Sequence, residues 1–93
     1  MRTIERTGTF RRDYRRIAAG MGITALDAAL FPVLSALVSD NPLDPAHRDH
    51  PLKGNLRAYR ECHVKPNLLL IYRKVNSKTL RLVRFGSHTA LFD

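Results

Sequence analysis

Three histidines in the C-terminal half are the residues most able to do chemistry: His50 in RDHPLKGN, His63 in RECHVKPNLLLIYR and His88 in VRFGSHTALF. Imidazole titrates near neutrality, so it gives or takes a proton with little tuning. Arginines surround these blocks, and the planar guanidinium fork suits phosphate oxygens. Metal-free RNA cleavage needs little more. A base removes the ribose 2′-hydroxyl proton, an acid protonates the leaving 5′-oxygen, and cations hold the charge growing on the phosphoryl oxygens. A lone histidine is more often a surface group or a satisfied core residue. Three in so basic a setting point to acid–base work on a phosphodiester.

The charge balance favours the same substrate class. Sixteen Lys and Arg against eight Asp and Glu give +8, and twelve of the sixteen are arginine. The excess is uneven, at +4 over residues 1–20, −3 over 21–50 and +7 over 51–93. On a domain this small, such a surplus implies nucleic acid, an anionic membrane or an acidic partner protein, with a merely solvated basic face as the plainer explanation. At 93 residues, 44% hydrophobic and 26% charged, the chain reads as one globular domain, 1–93, with a single core. Cys62 is the only cysteine, which excludes an intrachain disulfide and fits a reducing cytosol. Its position in the strand between Arg60 and Val64 reads as a small buried hydrophobe rather than a catalytic thiol. The N-terminus MRTIERTGTF lacks the apolar run of a signal peptide, and the aliphatic stretch Leu68 to Ile71 is far too short to span a bilayer, so no membrane is expected.

The elements that must position these residues follow from periodicity. Residues 2–6 read as a short strand. A helix is expected from a cap at Thr9 to about Ala19, with Phe10, Tyr14, Ile17 and Ala18 on one stripe and Arg11, Arg12, Arg15 and Arg16 on the other face. Gly20 and Gly22 end it. A second helix is expected from about Ala25, capped by Thr24, to Val38, with Pro32 kinking or splitting it. Residues 39–56 hold three prolines, one glycine and no period, which predicts a long but stiff loop. Strands follow over about 57–65, 68–76 and 79–85, joined as hairpins. Tyr59, Glu61, His63 and Lys65 share one face of the first, and Leu68 to Ile71 is apolar on both faces, as in a covered central strand. The expected architecture is α+β, an antiparallel sheet packed by two N-terminal helices.

Other chemistries find no support. His47 and His50 are three apart, and His63 or Asp49 could be added, but the pair lies in a proline-rich loop rather than on an element that fixes ligand spacing. No metal or other cofactor is expected. No phosphate-binding loop or dinucleotide fingerprint is present, and Gly86-Ser87-His88 lacks the flanking pattern of a nucleophile elbow. Arg73, Arg81 and Arg84 lie on adjacent strands, and Phe85 and Phe92 could stack on an unpaired base if they are not core residues.

The blocks DHPLKGN, RECHVKPNLLLIYR and LRLVRFGSHTALF, in that order and spacing, with FRRDYRR near the N-terminus, resemble the YafQ branch of the RelE/ParE-type bacterial toxins. The resemblance covers nearly the whole chain. It implies a small antiparallel sheet with two N-terminal helices, and ribosome-dependent cleavage of A-site mRNA restrained by a cognate antitoxin. It places the functional histidines on His50, His63 and His88, with His88 as the main proton-transfer residue and the leaving group as its target. Arg84 becomes the arginine that stabilises the phosphorane, and Phe92 the terminal aromatic. Asn67, Lys53, Arg60, Arg73 and Arg81 then grip RNA. The implied partners are an acidic antitoxin, the 70S ribosome with A-site mRNA, and operator DNA only through the antitoxin, all in the bacterial cytoplasm.

One departure matters. Such toxins commonly carry an aspartate and a tryptophan after the RECH-x-x-Pro stretch, where this chain has Asn67 and Leu68. Asparagine hydrogen-bonds but holds no charge, so catalytic strength and codon preference are at stake. The competing reading is a weakened or non-catalytic module that keeps the fold, binds RNA and an antitoxin, and helps repress its own operon.

Overall fold

The computed structural model describes residues 1–92. The chain forms β1 (Thr3–Arg6), α1 (Gly8–Met21), α2 (Ile23–Val38), β2 (His50–Pro51), β3 (Arg60–Lys65), β4 (Leu68–Asn76), β5 (Thr79–Gly86) and α3 (His88–Phe92). One sheet contains all five strands in the order β1-β5-β4-β3-β2. The α+β class stands, but the sheet is mixed. β1 runs parallel to β5, from Thr3 opposite Thr79 to Arg6 opposite Leu82, while the other pairs are antiparallel. The helices return the chain across one face, which lets the first strand lie beside the last and point the same way.

β4 is central, and Leu68, Leu69, Leu70, Ile71 and Tyr72 are all buried, as an apolar run without alternation requires. Leu70 and Tyr72 join Phe10, Leu26, Val33 and Phe85 in the core between sheet and helices. Regular alternation along β5 would put Leu80, Leu82 and Arg84 on the core face. The register instead slips between Ile71–Arg84 and Tyr72–Leu82, so Val83 is an extra residue and Phe85 turns inward. Phe85 is 0% exposed and stacks on Phe10 with ring centroids 5.6 Å apart, so of the two options open to it in the sequence it takes core packing.

The helix boundaries also differ from the sequence reading. Thr7, not Thr9, caps α1. Its backbone is extended, its hydroxyl oxygen accepts from the Phe10 amide at 3.0 Å, and the hydroxyl donates to the bulged Val83 carbonyl at 2.9 Å. Gly22, at φ +91°, separates the two helices and takes the place expected for Thr24. Pro32 neither splits nor ends α2. Proline removes the donor to the Ala28 carbonyl, but both residues lie on the exposed face, where water replaces it. The 39–56 segment holds single 3₁₀ turns at Pro45–His47 and Gly54–Leu56 around the two-residue β2.

Candidate active site

The site is assembled at the β2 edge of the sheet by three short pieces of chain. β2 places His50 opposite Glu61 of β3. β3 bulges between His63 and Lys65, with Val64 as its extra residue. Ser87 follows β5 and caps α3, its hydroxyl accepting from the Ala90 amide at 3.1 Å, so the Gly-Ser-His run is a strand-to-helix turn. His88 and Phe92 fall at i and i+4 on α3, with ring centroids 5.1 Å apart.

A shallow cleft of about 300 Å³ is lined by His50, Pro51, Leu52, Lys53, Glu61, His88 and Phe92. Glu61 is the buried member, 7% exposed, and sequence reasoning gave it no role. Its Oε1 lies 3.5 Å from His63 Nε2 and 3.9 Å from His50 Nε2, so one carboxylate faces two of the three histidines. The alternation that put Glu61 and His63 on one strand face already contained this signal; the pairing of His50 beside them came only with the fold. His50 Nδ1 lies 2.6 Å from the Arg48 carbonyl and His63 Nδ1 3.3 Å from the Pro66 carbonyl. A ring nitrogen facing a carbonyl carries the hydrogen, so Nδ1 is the donor in both rings and Nε2 faces Glu61. His47, left outside the site by the sequence reading, holds the His63 carbonyl through its Nδ1 at 2.6 Å.

The expected cations occupy different places. Lys53 lines the cleft. Arg84 turns to α1, where its Nε donates to Asp13 Oδ2 at 2.9 Å. Asp13 is 2% exposed and also accepts from the Phe85 amide at 3.0 Å and from Arg16 at 2.9 Å. Burial opposes its charge, but the hydrogen bonds from Arg84 and Phe85, with the Arg84 and Arg16 charges, outweigh it and hold the carboxyl below the usual carboxylate value. Arg81 pairs with Glu5, Arg60 with Asp49 at 3.1 Å, and Arg73 lies over the Tyr59 ring at 5.7 Å. None of these four arginines lines the cleft. Asn67 is exposed in the β3–β4 turn, next to the Pro66 carbonyl that holds His63, and its side chain makes no hydrogen bond among the described residues. Burial, then the charges of Asp49 and Glu61, pushes the Cys62 thiol up to about 12, which leaves it inert at neutral pH.

Among the described residues, no three His, Cys, Asp or Glu side chains are grouped to hold a metal ion. Nor is any described helix long and apolar enough to cross a membrane. A larger groove of about 630 Å³ lies away from the histidines. Ile4, Phe10, Leu30 and Leu34 give it an apolar lining, with Arg6, Arg11 and Arg15 beside them.

Residues 2–93 match the family model for the bacterial toxin of type II toxin–antitoxin system, YafQ. The mRNA interferase toxin YafQ of Escherichia coli (strain B / BL21-DE3) is 37% identical over 93 residues, covering 98% of this chain and 96% of that protein. The YafQ chain in a crystal structure of the E. coli DinJ–YafQ complex is 33% identical, covers 100% of both chains and superposes with a TM-score of 0.85. A metal-bound toxin from Helicobacter pylori is 43% identical, covers 99% of this chain and 100% of its own, and superposes with a TM-score of 0.88. The chain therefore belongs to the YafQ family of type II toxin–antitoxin toxins.

Proposed function

We propose that this toxin is a ribosome-dependent endoribonuclease that cleaves A-site mRNA by acid–base chemistry carried on its own side chains. The observation that carries the reading is the meeting of His50, Glu61 and His88 with Lys53 and Phe92 around one cleft, and His63 against the same Glu61. The His88 and Phe92 rings lie tilted against each other at 5.1 Å, so a base stacked on Phe92 would bring its phosphodiester near the imidazole. In this reading His88 protonates the leaving 5′-oxygen. His50 and His63, oriented by Glu61, serve the attacking 2′-hydroxyl side and bind phosphate. Lys53 supplies the cation in the cleft. Arg84, locked to Asp13, holds the strand end that presents His88, while Arg60, Arg73 and Arg81 contribute to the electrostatic field from outside the cleft. Asn67 meets RNA from the adjoining turn.

The cleft is too shallow to grip a nucleotide strand by itself, which supports delivery of the mRNA by the ribosome. The cytoplasm of a bacterium is where such a substrate is found. The E. coli relative has been crystallised with DinJ, and the larger groove suits an acidic amphipathic antitoxin segment, with apolar side chains on its floor and acids on Arg6, Arg11 and Arg15. Operator DNA would then be reached only through the antitoxin. A second reading, a weakened binding module, rests on Asn67 standing where related toxins carry an acid. Primer extension on a reporter mRNA distinguishes them. Purified protein should cut at A-site codons on programmed ribosomes and leave the same free RNA intact. Ribosome binding without cuts would favour the weakened module, and equal cutting of free RNA would remove the ribosome dependence.

A further inference from the structure

His50 sits on a segment with little regular structure to hold it. β2 is two residues long, and one of them is Pro51, which donates nothing to the sheet. Two residues before His50, Arg48 lies in the left-handed region at φ +48°, a conformation costly for a residue with a side chain. Such a conformation persists only where its surroundings impose it. Arg48 takes it as the cap of the Pro45–His47 turn, its amide donating to the Pro45 carbonyl at 3.1 Å, and the residue that anchors the chain just beyond is Asp49. Its Oδ1 accepts from the Tyr72 hydroxyl at 2.5 Å and from Arg60 Nε at 3.3 Å, and its Oδ2 accepts from Arg60 Nη2 at 3.1 Å. Arg60 Nε also lies 3.3 Å from the Tyr72 hydroxyl oxygen, which closes the triangle. Tyr72 is 1% exposed on the central strand, so the anchor is part of the rigid core.

We propose that Asp49, tied to the core by Tyr72 and Arg60, is a positioning residue that holds the His50 imidazole at the cleft opposite Glu61. The role rests on the reading of the cleft as an RNA-cleaving site. Arg60 and Tyr72 anchor Asp49, and the Arg48 carbonyl lies 2.6 Å from His50 Nδ1, so both residues before the histidine bear on its place. The side chain is thus fixed by its neighbour in sequence rather than by its own packing, and His50 itself remains half exposed to substrate. An imidazole whose carrier loop loosens by an ångström leaves reacting geometry, and that kind of loss is read in the chemical step.

Tyr72→Phe removes one hydroxyl and keeps the core filled. On programmed ribosomes it should slow single-turnover cleavage about tenfold, with ribosome affinity within twofold of native. In a His50→Ala background the same change should have no further effect, because the tether acts through His50. An equal factor in both backgrounds overturns the proposal, since a general loss of stability would persist without the histidine. A second readout needs no activity. In ¹H–¹³C spectra of the histidine rings, Tyr72→Phe and Asp49→Asn should each shift or broaden the His50 signal while that of His88 stays in place. An unchanged His50 signal in both variants overturns the proposal as well. A native protein that cuts nothing would defeat the ribonuclease reading alone, and the ring signals would still decide whether Asp49 positions His50.

Discussion

Replacing Asp13 by alanine should strip the support from the strand that presents His88. Three donors lose a carboxylate at once: the Phe85 amide at 3.0 Å, Arg84 Nε at 2.9 Å and Arg16 at 2.9 Å. The amide belongs to a residue that is 0% exposed, and a buried donor left without a partner costs roughly 1–3 kcal/mol. The Arg84 side chain is about a third exposed, so water recovers part of its loss and about 1 kcal/mol remains. Arg16 is mostly in solvent and contributes nothing worth counting. The change should therefore cost about 3 kcal/mol. For a domain of 93 residues, unfolding entropy near 2.1 cal/mol/K per residue converts each kcal/mol to about 5 °C, so Tm should fall by roughly 15 °C. Thermal unfolding followed by circular dichroism measures this. The pH dependence has a fixed sign. The folded carboxyl titrates below its unfolded value, so its contribution is fully present above about pH 4 and disappears as the pH falls through the lower, folded value. Asp13→Asn should thus be destabilised at neutrality and approach the native protein at strongly acid pH. A drop of under about 3 °C for Asp13→Ala at pH 7, or a gap that widens on acidification, would refute the reasoning.

Glu61→Gln keeps the shape between His50 and His63 but removes the charge that faces both rings, and single-turnover cleavage should fall about tenfold, which is about 1.4 kcal/mol of transition-state stabilisation. Unchanged rates would make Glu61 a packing residue. Lys53→Ala should flatten the salt dependence of ribosome binding by about one unit of log–log slope, as expected when one phosphate is no longer neutralised, and a pelleting series over ionic strength reads it. Asn67→Asp should raise the cleavage rate by no more than a few-fold, because water screens a charge at this exposed turn. Equal rates for Asn, Asp and Ala there would assign the residue to the turn alone.

The helices were legible because their burial repeats with a period, in the Phe10 to Ala18 stripe and the α2 leucines, and the central strand because its run at Leu68 is apolar on both faces. What escaped depends on chain segments too short or too distant to leave a period. α3 is five residues long, one turn beyond Ser87, and nothing in HTALF alone separates it from a frayed terminus. The Val83 bulge reverses the inward face between Leu82 and Phe85, and no local composition announces it. The parallel pairing of β1 with β5 joins residues 76 apart in sequence, as at Thr3 and Thr79. At the site, the histidines stood out by residue type, but the acids behind them did not. Asp13 sits among arginines on what reads as a polar helix face, yet it is buried because the bulge brings Arg84 and the Phe85 amide to it. Arg84, Arg81 and Arg60 were visible as cations and not as members of ion pairs, since Asp13, Glu5 and Asp49 lie 71, 76 and 11 residues away.

The central claim is that His88 moves a proton in the cleavage of ribosome-bound mRNA. Its most direct test is the single-turnover cleavage rate of His88→Ala on purified programmed ribosomes, alongside its ribosome affinity. General acid–base catalysis typically supplies 10²- to 10⁴-fold, so the rate should fall by about that factor while affinity holds, because His88 is exposed and makes no hydrogen bond through its ring among the described residues. Undiminished cutting at the same codons by the His88→Ala protein would contradict it.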